Sequence, residues 1–518
     1  MGGASEFTAV ILASANDGDN LHPLTEHLPP ALLPVANRPL ISFQLELLER
    51  AGSFQRVLVL TIERWLTLLS TYVSEEYKGP LQVELLVVPD DAGSADAIRH
   101  IRAKLLTDFV LLAGDVITDA SFQRLADLHR LSSAAVTALY KERPPREVGV
   151  VKKARDLDGV DFVGVDEKRT RLLSLEAAAD CDQGVVSVSQ SMLGAYPKVE
   201  LHTNLVDAHV YIFSHWVLDV LELKPHFSSA KLELLPYLVR KQFLPKANLA
   251  FPADGPPAAP PADGSPPPSP KKLELQMSSG GEARRASTNT SDFRCCCFIM
   301  PHDGGYTLRA NDLKTYMAAN LDVAKGGVTL YAAAAEAWLE SASPKGPTGG
   351  RGGAGLQGGF SAMTLDAGKE AKEAKEAKVA KEAKEAKEGK EEGAAAAKPV
   401  VRENYVLKSF SSDCSRGAGI EVAQRSSIKK SCIGPHCHIG ANVRMTNCIV
   451  MDHVVIGDKV TMSNCVVCAH AEVREGAKLQ DVQVAQGATV EAGAVVKEMA
   501  VTSSATGAGG GGSDLSDE

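Results

Sequence analysis

The sequence has no surplus of positive charge: 55 Lys and Arg stand against 64 Asp and Glu in 518 residues, a net charge of −9. Without a basic field to hold a phosphate backbone, direct binding to nucleic acid is not expected. No apolar run approaches the roughly 18 residues needed to cross a bilayer, and MGGASEFTAV lacks a basic segment leading into an apolar one, so neither membrane insertion nor export is expected. Gly2 does not open a myristoylation pattern, because Glu6 stands where Ser or Thr is required. The ten cysteines, three of them adjacent (Cys295, Cys296, Cys297), follow neither a disulfide framework nor the paired spacing of a zinc site. A reducing, cytosolic compartment fits that usage.

What is present is two kinds of periodicity separated by low complexity. Over residues 7–245, apolar runs such as RVLVLTI, LQVELLVV and DFVLLAG alternate with amphipathic stretches such as LISFQLELLERAG. That alternation predicts an α/β domain with a mostly parallel sheet and crossover helices. Residues 246–292, with PPAAPPADGSPPPSP, cannot bury enough apolar surface to offset chain entropy and are expected to be disordered. A short ordered connector is expected over 293–340, where FRCCCFIM has strand character and LRANDLKTYMAANLDVAK reads as a helix. Residues 341–400 return to low complexity: a Gly-rich part, then a KEA repeat that suits either a solvated spacer or a docking helix.

Residues 402–497 repeat at a constant interval of 17. Ile433, Val450, Val467 and Val484 form one series, Ile439, Ile456, Val473 and Val490 a second, and Met445, Met462, Leu479 and Val496 a third. Three short strands per turn, each pointing one aliphatic side chain inward, predict a triangular parallel β-helix beginning near Glu421. IGPHCHIGANVR is similar to the hexapeptide repeat of left-handed β-helices. Its core residues, Ile433, Ile439, Val450, Ile456, Val467 and Val473 among them, would support a partner-binding surface. His436, His453 and His470 share the same interval and should stack along one edge, either as solvated corner residues or as zinc ligands, although three stacked rings suit tetrahedral geometry poorly. Residues 498–518, rich in Ser, Gly and Asp, are expected to be a disordered tail.

The chemistry turns on residues 9–40, AVILASANDGDNLHPLTEHLPPALLPVANRPL. This stretch resembles the nucleotidyltransferase superfamily, in which LAGGxGTRLxPLT follows the first strand and PKPLLPVxxKP comes next. In that family the glycines admit backbone N–H groups to a triphosphate, and the Arg and Lys neutralise charge as pyrophosphate leaves. Here Asn20 stands at the Arg and Pro30 at the Lys, Asp19 replaces the Thr, Ala15 and Asn16 replace the glycine pair, and the loop is one residue longer. Loss of two charge-assisted donors, at about 2.7–4 kcal/mol each, predicts negligible turnover. LAGDVITD sets Asp115 at the family's metal-binding aspartate, a position that a loop-capping carboxylate would also suit. DAGSADAIRH resembles the turn that holds the nucleotide base, through Gly93, Ser94 and Asp96; the same residues also suit a helix N-terminus. These six positions, Asn20, Pro30, Gly93, Ser94, Asp96 and Asp115, define a vestigial nucleotide pocket with no catalytic residue, metal or cofactor expected.

An eroded transferase-like domain followed by a β-helix, with ALLPVANRPL, PDDAGSADAIRHI, DFVGVDEKRTRLL, LVDAHVYIF, LELLPYLVRKQF and SSIKKSCIGPHCHIG, resembles the gamma-subunit family of eukaryotic translation initiation factor 2B. The resemblance implies a regulatory subunit that pairs with an epsilon-like subunit and joins the other subunits of that factor, with initiation factor 2 as the substrate of the complex. In that family, exchange chemistry belongs to a helical domain at the epsilon C-terminus, and nothing after Val496 resembles one. The competing expectation is a sugar-1-phosphate nucleotidyltransferase of the GDP-mannose or ADP-glucose pyrophosphorylase type, or its non-catalytic partner.

Overall fold

A computed structural model describes residues 6–13, 20–143, 160–178, 188–243, 293–326, 409–411 and 413–502. The insertion at 246–292, the linker at 341–400, the tail from 503 onward and loop residues Ala15, Asn16, Gly18 and Asp19 lie outside them.

The apolar runs become the strands of one seven-stranded sheet. In chain order these are β1 (Phe7–Leu12), β2 (Arg56–Thr61), β3 (Gln82–Val87), β4 (Asp108–Ala113), β6 (Ala134–Glu142), β7 (Leu205–Phe213) and β8 (Arg294–Met300), while β5 (Val116–Thr118) pairs outside it. The spatial order is β8-β6-β7-β4-β1-β2-β3, parallel except for β7, which runs antiparallel to both neighbours. Strands buried on both faces read as continuous apolar runs, and alternate residues divide between two cores. Val10, Leu58, Leu60 and Leu111 pack on one side, and Ala9, Ile11, Val57, Val59 and Leu112 on the other. Helix α1 (Leu40–Ala51) ends at Gly52, whose φ of 67° supplies the left-handed cap that a side chain would strain. It buries Ile41, Leu45 and Leu48 in the second core. Further helices of this domain include α2 (Glu63–Thr71), α3 (Ser94–His100) and α4 (Phe122–Ser132).

The ordered segment expected over 293–340 is described from 293 to 326, where it holds the expected strand and helix and packs onto the first domain. Strand β8 completes the main sheet beside β6, β9 (Thr307–Arg309) pairs with β5, and α5 (Leu313–Ala324) begins at an Asp312 N-cap whose carboxylate accepts from the Thr315 N–H at 2.7 Å. Strand character was visible in FRCCCFIM; its partner, distant in sequence, was not.

The 17-residue interval becomes the register of a three-sided parallel β-helix. Ile433 pairs with Val450, Ile439 with Ile456 and Met445 with Met462, each on a different sheet. All six core positions, Ile433, Ile439, Val450, Ile456, Val467 and Val473, are buried. The solenoid starts earlier than Glu421, at Ser415–Arg416 against Cys432–Ile433, and it runs past 497 to Ala500–Val501. The first and last strands pair on one side only, so the aliphatic repeat fades there before the hydrogen-bonded ladder does.

One outward face of the solenoid is not solvated. Ile449, Met451, Val466 and Cys468 join Leu21, Leu24, Leu33, Val35, Leu40 and Phe43 in one apolar cluster, with Ile117, Tyr316 and Ala319 between them. Polar contacts fix the fit: the Tyr316 hydroxyl donates to Pro34 O at 2.6 Å, the Ala36 N–H to Asn320 Oδ1 at 2.9 Å, and Asn37 Nδ2 to Ile433 O at 3.0 Å. Residues that resemble a phosphate-binding motif therefore form a docking surface for the solenoid.

Inward and outward positions should respond oppositely to the same charge. Ile456→Asp buries an unpaired carboxylate and is expected to abolish cooperative unfolding of the solenoid, and Ile456→Ala to cost about 2–5 kcal/mol. Val455→Asp, at a position 44% exposed, is expected to stay within about 0.5 kcal/mol of the parent. Urea denaturation followed by circular dichroism reads all three.

Candidate functional site

The place where this fold presents a nucleotide is the rim formed by the carboxyl ends of β1, β2 and β4. Gly114 lets two strands close up at that rim: its N–H donates to Leu12 O at 2.9 Å, and a Cβ would lie 2.5 Å from the same oxygen. Gln44 of α1 donates to Gly114 O and Val116 O, at 3.2 and 2.6 Å, and holds the following turn.

The six expected pocket residues do not converge on a ligand. Asn20 sits exposed in a turn. Pro30 opens a 3-10 turn, Pro30–Leu32, and is half-buried with no charge to offer. Gly93, Ser94 and Asp96 form the start of α3, where Asp96 Oδ2 accepts from the Gly93 N–H at 3.3 Å. The groups that would meet a base are taken by residues 228–230. Ser94 Oγ accepts from the Ala230 N–H at 2.8 Å, the Ala95 N–H donates to Ser228 O at 2.7 Å, and a Cβ at Gly93 would lie 2.4 Å from Ser228 O. A cavity of only about 40 Å³ remains there, lined by Leu12, Ala92, Gly93, Ala113, Tyr211 and Lys231 among others. Ligand pockets ordinarily measure about 300–1,000 Å³; among the described residues, the helix-start reading of this turn accounts for its contacts.

Asp115 is brought into a site, but one closed by a cation of the chain itself. Arg309 of β9 donates to both carboxylate oxygens, Nε to Oδ1 at 3.0 Å and Nη2 to Oδ2 at 2.7 Å, and the Ala310 N–H donates to Asp115 O at 2.8 Å. The side chains of Arg309 and Asp115 are only 12% and 9% exposed. The third arm of the guanidinium, Nη1, meets His209 Nε2 at 2.8 Å. Burial, then the charges of Arg309 and Lys231, push the His209 pKa well down, so the ring is neutral and Nε2 accepts. Behind it Asp207 is raised by burial; its carboxylate accepts from the Tyr211 hydroxyl at 2.5 Å and the His209 N–H at 2.8 Å. Lys231 reaches Asp161 at 3.0 Å.

The residues present do not fit the divalent cation that the superfamily implies. A metal at Asp115 would have to displace a permanently protonated guanidinium that already fills both oxygens in a bidentate fork. The adjoining cavity, about 520 Å³, is lined by Asp161, Asp207, His209, Lys231, Arg309 and Thr315 among others. Its lining sets Lys141, Arg143, Lys231 and Arg309 against Glu142, Asp161, Asp207, Asp312 and Asp322, with Arg309 paired to Asp115 and Lys231 to Asp161, a balance with no excess of positive charge to draw a triphosphate.

Arg309 carries no motif in TLRAND, and sequence reasoning passed over it. The solenoid junction did leave a signal, in the apolar pairs Ile449–Val450 and Val466–Val467, where one residue of each pair must point outward. The ion pair gives a stability prediction: Arg309→Ala strands a buried carboxylate and is expected to cost about 3–5 kcal/mol, whereas Arg309→Ala combined with Asp115→Ala recovers most of that loss. The double-mutant cycle in urea measures it.

Comparison with known proteins agrees with this division. A family model described as nucleotidyl transferase matches residues 8–242, and one described as the EIF2B subunit epsilon LbH domain matches residues 408–506. The chain is 31% identical over 353 residues to translation initiation factor eIF2B subunit gamma of Dictyostelium discoideum, covering 62% of this chain and 76% of that one. It is 32% identical over 243 residues to the subunit of the same name from Schizosaccharomyces pombe, covering 46% and 52%. A mannose-1-phosphate guanyltransferase of Debaryomyces hansenii is 28% identical over 231 residues, covering 44% and 55%. The transferase-like domain with its ligand turn filled and its acidic site closed, joined to a left-handed β-helix, places this chain in the family of translation initiation factor eIF2B gamma subunits.

Proposed function

We propose that this chain is a non-catalytic, gamma-type regulatory subunit of the guanine nucleotide exchange factor for translation initiation factor 2, acting in the cytosol paired with an epsilon-type subunit. The observation that carries the non-catalytic reading is the Arg309–Asp115 pair, which puts an internal cation where a nucleotidyltransferase would need a metal. Asn20 and Pro30, in place of two phosphate-neutralising residues, support it from the sequence side. Among the described residues no helix is long and apolar enough to cross a membrane.

The subunit's contribution to exchange is preorganisation. A partner that orders the domains of an epsilon-type subunit lowers the entropy lost when the substrate factor docks. The solenoid is the platform for that contact. One of its faces is consumed by the chain's own first domain, so the partner meets the other two. The strands of one of these carry exposed Lys429, Arg444, Lys478 and Lys497 and no carboxylate.

The enzymatic alternative draws on the mannose-1-phosphate guanyltransferase likeness, and two assays separate the readings. With magnesium, GTP or ATP and a sugar 1-phosphate, the purified chain is expected to form no nucleotide sugar above background. In fluorescent-GDP release from initiation factor 2, it is expected to give background rates alone and to accelerate release by an epsilon-type subunit. Turnover in the first assay, or release by this chain alone in the second, sinks the proposal. Arg444→Glu with Lys478→Glu is expected to weaken co-purification with the epsilon-type subunit without altering the thermal unfolding midpoint by more than a few degrees; undiminished pairing would move the contact elsewhere.

A further inference from the structure

One corner of the solenoid holds a column of residues with positive φ: Gly419 (68°), His436 (57°), His453 (56°), His470 (58°) and Gly487 (66°). Glycine at either end occupies this left-handed region freely. The other two corners take the same conformation, at Arg425, Asn442 and Lys459 and at Lys430, Asn447, Asn464 and Asp481, so it belongs to the coil. What sets this corner apart is an imidazole at three successive steps.

The rings face one another along the corner, with centroids 5.2 Å apart for His436 and His453 and 5.0 Å for His453 and His470. Three rings in one stack cannot converge on an ion, but the structure adds a donor of another kind. Asp452 lies beside the column, its Oδ2 3.5 Å from His453 Nδ1, and one ligand atom from each of Asp452, His453 and His470 lies within 4.8 Å of the others. Among the described residues this is the one group of three or more such side chains gathered so closely.

We propose that Asp452, His453 and His470 form a surface site for a divalent cation of the zinc class. Two imidazoles and a carboxylate supply three protein ligands, and solvent supplies the fourth position, the ligand count of open zinc sites. Zinc–nitrogen and zinc–oxygen bonds of about 2.0–2.2 Å require the donor atoms to draw in by an ångström or so. His453 and Asp452 have side chains about half exposed, so rotation about side-chain bonds does this with no repacking. The backbone ladder holds the two coils in register beneath them: the His470 N–H donates to Asp452 O at 3.1 Å and the His453 N–H to Pro435 O at 3.1 Å. His436 packs against the outer side of His453 with its ring tilted by 33°. Because the site joins two successive coils, a bound ion would cross-link them at the surface.

The full chain, freed of metal with a chelator and titrated with Zn²⁺ against a chromogenic competitor, is expected to take up one competitor-resistant equivalent. His470→Ala and Asp452→Asn should each weaken that binding by at least the roughly 10–100-fold that loss of an outer-shell partner costs, with the far-ultraviolet circular dichroism unchanged. Titration with Co²⁺ should give d–d absorption without a sulfur-to-cobalt charge-transfer band, which distinguishes this site from the cysteines. Absence of stoichiometric Zn²⁺, full retention by the His453→Ala, His470→Ala double variant, or a thiolate spectrum would each overturn the proposal.

Discussion

A buried carboxylate needs a matching charge, and in this protein the match between Asp115 and Arg309 is the constraint through which the parts connect. Asp115 sits in the turn between β4 and β5; Arg309 belongs to β9, which arrives only after the long insertion. The side-chain fork and the backbone bond from Ala310 to Asp115 fix the end of β9. Asp312 then caps α5, and α5 presents Tyr316, Ala319 and Asn320 to the solenoid junction. One ion pair thus fills both oxygens of Asp115 and anchors the element that joins the two domains. An isolated buried pair is weak evidence of net stability, since desolvation offsets much of the Coulomb gain. Its worth here is in specifying geometry.

The same economy of parts appears in the two loops that resemble ligand-binding motifs. PPALLPVANRP keeps the prolines and aliphatics of a phosphate-binding motif but buries Leu33 and Val35 against the solenoid. GSADA keeps the helix start, while Ser228 and Ala230 bond to the Ala95 N–H and the Ser94 hydroxyl. Packing and hydrogen bonding account for these residues, and both are satisfied within the chain.

That arrangement also fixes the solenoid as a surface. A solenoid with one face clamped to a sheet domain is rigid, and rigidity on the side of a partner reduces the entropy that association must overcome. The exposed faces differ in chemistry: one has cations on its strands and no acid, and the other carries Glu421 paired with His438, then Val455 and Glu472. Two unlike faces allow two unlike contacts.

The sequence by itself determined whatever repeats or alternates locally. The 17-residue interval fixed the three-sided solenoid and its buried positions, because each coil's contacts are with the next coil at a constant chain separation. The apolar runs fixed the sheet strands, and the missing cations at Asn20 and Pro30 were plain from residue identity. The edges of the solenoid, at Ser415 and Val501, escaped it because terminal coils lack a neighbour to enforce the aliphatic pattern. Only the tertiary structure decided what depends on distant residues meeting. Arg309 reaches Asp115 across an insertion, β8 joins β6 at the sheet edge, the 228–230 segment fills the turn at Gly93, and Asp452 swings beside the histidine column. None of these has a local signature, since neither periodicity nor spacing along the chain encodes which buried charge will face which once the layers close.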